Sequence, residues 1–234
     1  MNSDEKYPFV PSTARLLREL RGDHAYMAKH AERERRRDAR IEEFARLSKP
    51  ILRELAAVGL SCSSIDGLRR SGVHYERAVP ILIAWLPLIT DPGLKEAVVR
   101  ALSVPWARPV AAQPLIAEFL KAPGQGSGLK WAIGNALSVV ADDSVFDNLA
   151  ALVRDKRHGK AREMLAVAIG NMRDPRAVDL AIELLGDDEV AGHTLMAIGK
   201  LGAQKARPVV EPFLNHPKAW IRAKAKRVLA RLDR

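Results

Sequence analysis

The stretch AIGNMRDPRAVDLAIELL, residues 168–185, closes one apolar helical segment, turns on Arg173-Asp174-Pro175 and opens a second. Softer versions of the same phrase flank it. LKEAVVRALSV (94–104) and LKWAIGNALSV (129–139) precede it, AREMLAVAIGNM (161–172) overlaps it, and VAGHTLMAIGKL (190–201) and IRAKAKRVLARL (221–232) follow. Their cores are Ala101-Leu102-Ser103, Ala136-Leu137-Ser138, Ala168-Ile169-Gly170, Ala197-Ile198-Gly199 and Val228-Leu229-Ala230, at steps of 35, 32, 29 and 31 residues. A second series comes before each: AVPILIAWL (78–86), AQPLIAEFL (112–120), VFDNLAALV (145–153), AVDLAIELL (177–185) and ARPVVEPFL (206–214). Self-similarity at this period signals a repeat architecture.

Both series carry apolar residues at helical spacing. Val190, Thr194, Ala197, Ile198 and Leu201 share one face, as do Ile221, Ala225, Val228, Leu229 and Leu232. The Ser, Gly or Ala that ends each core removes bulk where neighbouring helices must approach closely. Period-two alternation and β-branched enrichment, the marks of strands, are missing. A helical hairpin of about 30 residues cannot bury its own apolar face, so such units stack and share a continuous core.

The segments LGDDEVAGHTLMAIGKLG (185–202) and MRDPRAVDLAIELL (172–185) resemble HEAT repeats, in particular their short bacterial form. That family's pattern has a turn aspartate, Val-Arg opening the second helix, then Ala-Leu-Gly. Asp188 and Val190 match it, Ala191 replaces the arginine, and Ile221-Arg222 restores the pair. The resemblance covers residues 75–232 and implies an all-α chain: a right-handed α-solenoid (superhelix) of about five HEAT-like helical hairpins with an N-terminal helical extension. It also implies structural ladder roles for Asp188 and Arg222. The expected division is a flexible N-terminus over 1–11, a helical extension and degenerate capping hairpin over 12–72, and a HEAT-like repeat domain over 73–234.

The 234 residues are 47% hydrophobic and 28% charged, the balance of a folded protein rather than a disordered one. With Cys62 alone, no intrachain disulfide forms, which fits a reducing compartment. The opening MNSDEKYPFVPS lacks the apolar core of a secretory signal. The longest apolar run, AVPILIAWLPLI (78–89), holds two prolines and is too short to span a bilayer. A cytoplasmic protein with no membrane partner is expected. The net charge of +10 is uneven: residues 200–234 hold ten Lys/Arg against two Asp/Glu, whereas residues 51–199 are close to neutral. The basic end is the part able to attract an anionic partner.

Towards the N-terminus a helix is expected after Ser12 or Thr13, either of which can cap it. In AERERRRDAR (31–40) acids interleave with Arg33, Arg35, Arg36, Arg37 and Arg40, which favours a solvated helix braced by pairs such as Glu32–Arg36 over a nucleic-acid patch. Ser48-Lys49-Pro50 is expected to begin a new helix, proline being tolerated in a first turn, and Gly59 to end it. KAPGQGSG (121–128) follows a helix and lacks a Gly-Lys-Ser/Thr ending, so it reads as a flexible turn rather than a phosphate loop.

No catalytic, cofactor or metal set emerges. His24, His30, His74, His158, His193 and His216 show no metal spacing, and neither His-Glu-x-x-His nor Gly-x-Ser-x-Gly occurs. Asp142-Asp143 and Asp187-Asp188-Glu189 precede helices, where they satisfy free amides. What remains is the face of the second helices, which in a HEAT-like stack lines the concave side. Its candidate partner-binding residues are Arg100, Trp131, Asn135, Asn171 and Lys200, then Trp220, Lys224, Arg227 and Arg231 as one stripe on the last helix. Exposed tryptophan and arginine are enriched at binding hot spots, and the stripe suits phosphate or an acidic protein.

The resulting expectation is a non-enzymatic interaction scaffold, of undefined oligomeric state, that binds a protein partner through its concave groove and basic C-terminal cap. The alternative is nucleic-acid binding. Bacterial alkylpurine DNA glycosylases have a similar HEAT-like build, which implies an electropositive groove with tryptophans and a carboxylate around an extruded nucleotide. Trp131 matches one wall of such a site. The tandem-tryptophan-plus-aspartate signature is absent, however, and only Glu96 or Glu163 from adjacent hairpins supplies an acid. HEAT-like proteins of the bilin-lyase type share nothing with this chain beyond the repeat.

Overall fold

A computed structural model describes residues 23–123 and 128–233. The segment 1–11, the helix expected after Ser12 or Thr13, and residues 124–127 of the Gly-rich turn lie outside the described residues. Among those described, every regular element is helical, so the chain is all-α. No described helix is long and apolar enough to cross a membrane. The chain divides into two compact units between Leu47 and Ser48.

Among the described residues the first unit holds the leading part of helix α1 (His24–Ala57). Asp23 starts it, its carboxylate accepting the amides of Ala25 and Tyr26 at 2.9 and 3.1 Å. The interleaved charges form ladders along its exposed surface, with Glu32 to Arg36 at 2.6 Å and Glu43 to Arg46 at 2.7 Å. It is the solvated helix expected over 31–40.

The helix does not restart at Ser48. Helix α1 runs unbroken to Ala57 with Pro50 inside it. The ring deletes one N–H from the helical ladder, a defect that costs roughly 3 kcal/mol. Ser48, Ile51 and Leu55, on either side of it, are buried, and that burial carries the helix through the proline. The exit is as expected: Gly59 adopts φ 84°, and Leu60 N–H reaches the Leu55 carbonyl at 2.9 Å, the wrap of a glycine-terminated helix.

In the second unit the helices are α2 (Ile65–Arg70), α3 (Val79–Trp85), α4 (Pro92–Leu102), α5 (Ala112–Lys121), α6 (Gly128–Val140) and α7 (Phe146–Arg154). They continue with α8 (Arg162–Ile169), α9 (Arg176–Leu184), α10 (Ala191–Leu201), α11 (Arg207–Val210) and α12 (Ala219–Leu232). Each first helix packs on its second: α3 on α4, α5 on α6, α7 on α8, α9 on α10, and α11 with the 3₁₀ turn Glu211–Asn215 on α12. The second helices then pack on one another in chain order, from α4 through α6, α8 and α10 to α12, and α2 adds to α4. The segment 206–214 is not one continuous helix, because Pro212 lacks the amide that would bond the carbonyl one turn back; the chain tightens into 3₁₀ after Val210.

The glycines that close two of the cores sit where second helices touch. A Cβ on Gly170 would lie 2.5 Å from Ala197 Cα, and one on Gly199 would lie 3.2 Å from Val228 Cγ2. A basic residue recurs at the opening of these helices: Lys95, Lys130, Arg162 and Arg222 share one register, with Ala191 the exception. Lys130 Nζ donates to the Ala122 carbonyl at 3.2 Å, Arg162 to that of Val153 at 3.1 Å, and Arg222 to those of His216 and Pro217 at 2.8 Å. Lys130, Arg162 and Arg222 thus satisfy carbonyls left over where the preceding element ends, while Lys95 pairs with Glu118. Arg162 is 1% exposed and is also paired with Asp187 at 2.8 Å and Glu189 at 2.6 Å. The turn acid that meets an arginine is therefore Asp187; Asp188 is exposed. Accepting the Glu189 amide at 3.1 Å fixes the Asp187 carboxylate on the inner side of the turn.

Candidate functional site

The successive packing of α4, α6, α8, α10 and α12 puts equivalent outward positions of these helices side by side. At their C-terminal ends, Asn171 Nδ2 donates to the Ser138 carbonyl at 2.6 Å, and Asn171 Oδ1 accepts from Lys200 Nζ at 2.8 Å. Two of the expected residues are thereby joined in one chain of bonds from α6 to α10. Burial holds the Lys200 ammonium below the usual lysine range.

In the last turn of α4, Arg100 is exposed but pairs with Glu96 one turn earlier at 2.7 Å. Trp131, in the first turn of α6, is 41% exposed, with half-buried Asn135 one turn on. Among the described residues no hydrogen bond or ring contact joins Trp131 to the rest of the set.

On α12 the stripe is as spaced in the sequence. Trp220 is 46% exposed, Lys224 is half-buried, and Arg227 and Arg231 are exposed. The indole owes its position to Gly192 of α10: a Cβ there would stand 2.0 Å from Trp220 Cη2, so the ring occupies the space that any other residue would fill. His193 flanks it, ring centroids 5.9 Å apart, with Glu163 of α8 4.0 Å from the imidazole. Burial pushes the His193 pKa down and the nearby Lys224 charge adds to this, while Glu163 opposes it.

Gly192, His193 and Glu163 thus belong to the same surface as Trp220, although the expected set left them out. Trp220 lies three residues before the outward slot of its own helix, so register alone does not pair it with Gly192. A glycine in the middle of an outward row was the available signal.

Other surfaces offer less. A cleft of about 350 Å³ between α7 and α9 is lined by charges already paired, Arg176 with Asp147 at 2.8 Å and Arg154 with Glu183 at 2.6 Å. Burial raises the pKa of the Cys62 thiol. Among the described residues no group of three His, Cys, Asp or Glu side chains is placed to hold a metal ion. Compared with models of known families and with curated proteins, the chain matches none.

Proposed function

We propose that residues 73–234 form a right-handed HEAT-like superhelix, and that the chain is a non-enzymatic scaffold whose second helices line a concave groove for a protein partner. The observation that supports this reading is the packing of the second helices on one another in chain order, with two partly exposed tryptophans, the Asn171–Lys200 pair and the cations of α12 carried on them. Large rigid aromatics beside arginine supply contact area with little rotamer entropy to lose, the combination favoured at protein interfaces.

Nucleic-acid binding is the second reading, favoured by ten Lys/Arg against two Asp/Glu over residues 200–234. Glu96 and Glu163 on the same face weigh against a polyphosphate tract.

The test is site-specific photo-cross-linking in cell lysate. A photoreactive residue in place of Asn135 on α6 is compared with one in place of exposed Asn148 on α7, a first helix. The proposal expects protein adducts from Asn135 that resist nuclease and are missing from Asn148. Equal labelling at both positions, or adducts to nucleic acid alone, would sink it.

A further inference from the structure

We infer that α12 is a docking strip for an extended acidic segment of a partner protein, with the Trp220 indole as its apolar anchor and Lys224, Arg227 and Arg231 as its carboxylate contacts. The inference rests on the reading of the second-helix face as a protein-binding surface, and gives that surface a ligand chemistry.

Charge complementarity is the first support. Across the second unit, cations on the first helices and turns are mostly committed: Arg154 to Glu183, Arg176 to Asp147 and Asp174, Lys205 to Asp179, Arg207 to Asp233. Lys224, Arg227 and Arg231 make no ion pair with any carboxylate among the described residues, and neither does Lys226 beside them. From Ala219 to Leu232 the helix holds no acid at all. Positive charge gathered on one helix without partners raises the local potential and draws in an anionic chain.

Dimensions come next. Positions 220, 224, 227 and 231 are three or four residues apart, so their side chains stand about 5–6 Å apart along a ridge roughly 16 Å long. Alternate residues of an extended peptide lie about 7 Å apart and point to one side. About five residues of extended chain, with acids at alternate positions, therefore span the ridge.

The indole sets the anchor. The outer end of the Trp220 six-membered ring sits against Gly192 and the His193 ring lies 5.9 Å away, while nearly half of the residue stays open. A ring already fixed on one side loses little freedom when an apolar side chain covers the other.

The extent of the positive strip argues for a peptide over a nucleic acid. Beyond α12, Lys200 is committed to Asn171, and Glu163 stands beside His193. Further along, Arg100 is neutralised by Glu96. A long polyanion following the face would leave the cations after one helix and meet carboxylates.

The experiment uses the full chain and a fluorescein-labelled peptide of about eight residues, a leucine followed by glutamates at alternate positions. Its glutamine counterpart and an oligothymidylate of matching charge serve as comparisons. Fluorescence anisotropy is expected to show binding of the glutamate peptide, weaker binding of the other two, and a loss of about tenfold or more for the K224E/R227E/R231E variant. Those side chains lie off the buried stripe of α12, so the melting temperature of the variant should stay close to the original. Trp220→Ala, checked for folding in the same way, should weaken the peptide several-fold.

Equal affinity of the charge-reversed protein, preference for the oligothymidylate, or no peptide binding at all would each overturn the inference. Cross-links from Asn135 separate its failure from that of the broader reading. Adducts at Asn135 with an indifferent α12 remove the strip alone, whereas peptide binding to α12 with no adducts at Asn135 removes the groove.

Discussion

Lys200 Nζ gives Asn171 Oδ1 a hydrogen bond of 2.8 Å, and Asn171 Nδ2 passes one of 2.6 Å to the Ser138 carbonyl. One side-chain amide ties the ends of three successive second helices, using a carbonyl from the last turn of α6 that its own helix leaves over. Asn171→Ala deprives that carbonyl of its donor and Lys200 of its acceptor, and should cost about 1–2 kcal/mol in urea denaturation. Lys200→Ala should cost less, since Asn171 keeps its bond to the Ser138 carbonyl. In a double-mutant cycle the pair should couple by about 0.5–1 kcal/mol; strict additivity would mean the bond does nothing in solution.

Two glycines separate helix propensity from packing. At Gly199, inside α10, glycine to alanine gains roughly 1 kcal/mol from propensity alone, whereas Gly170 is the C-cap of α8 and has less of that gain to draw on. At Gly199 the new methyl meets a movable Val228 methyl at 3.2 Å, so Gly199→Ala should be near neutral. At Gly170 it meets Ala197 Cα at 2.5 Å, and only parting α8 from α10 relieves that contact. Gly170→Ala should therefore lose about 2–3 kcal/mol net. Equal stabilities for the two variants, measured by urea melts, would deny the close approach.

Where the same contact repeats, the sequence must repeat with it. For that reason the helical segments, the small closing residues Gly170 and Gly199, and the Asn171 and Lys200 positions 29 residues apart could be read in advance. Proline misled in both directions. Burial of Ile51 and Leu55 carried α1 through Pro50, while Pro212 cut α11 short, and local pattern does not reveal which side wins. The basic register of Lys95, Lys130, Arg162 and Arg222 was hidden by its change of residue type and by Ala191 within it. Trp220 on Gly192 was out of reach because it joins two positions that the repeat does not make equivalent.

Acid should reveal the Arg162 cluster. The Asp187 carboxyl lies below its ordinary range, chiefly because it accepts from Arg162; burial works the other way and the Glu189 amide adds to the lowering. Unfolded, it returns to about 3.9. A carboxylate depressed by folding contributes its full stability above the unfolded pKa and loses it as pH falls through the folded one. Asp187→Asn should cost about 1.5–3 kcal/mol at neutral pH, the range for a charged hydrogen bond, since Arg162 keeps Glu189 and the Val153 carbonyl. The difference should shrink below about pH 4. A gap between variant and original that persists in acid would assign the loss to packing instead.

Trp131 is where stability and binding should part company. Its register partners on the other second helices include Glu96, Glu163 and Gly192, so no packing rule of the repeat demands an aromatic at that slot. The residue is 41% exposed, in the first turn of α6, while Ala132, Ile133, Ala136 and Leu137 on the same helix supply the buried face. Truncation to alanine removes mostly surface already in water, and should lower the melting temperature less than Gly170→Ala does. At an interface, losing a tryptophan anchor typically costs about 2 kcal/mol or more, which is over tenfold in affinity. The adduct yield from Asn135, one turn away, should therefore collapse in the Trp131→Ala background. Unchanged yield with a large loss of melting temperature would put the indole to work inside the fold and leave the face without its central contact.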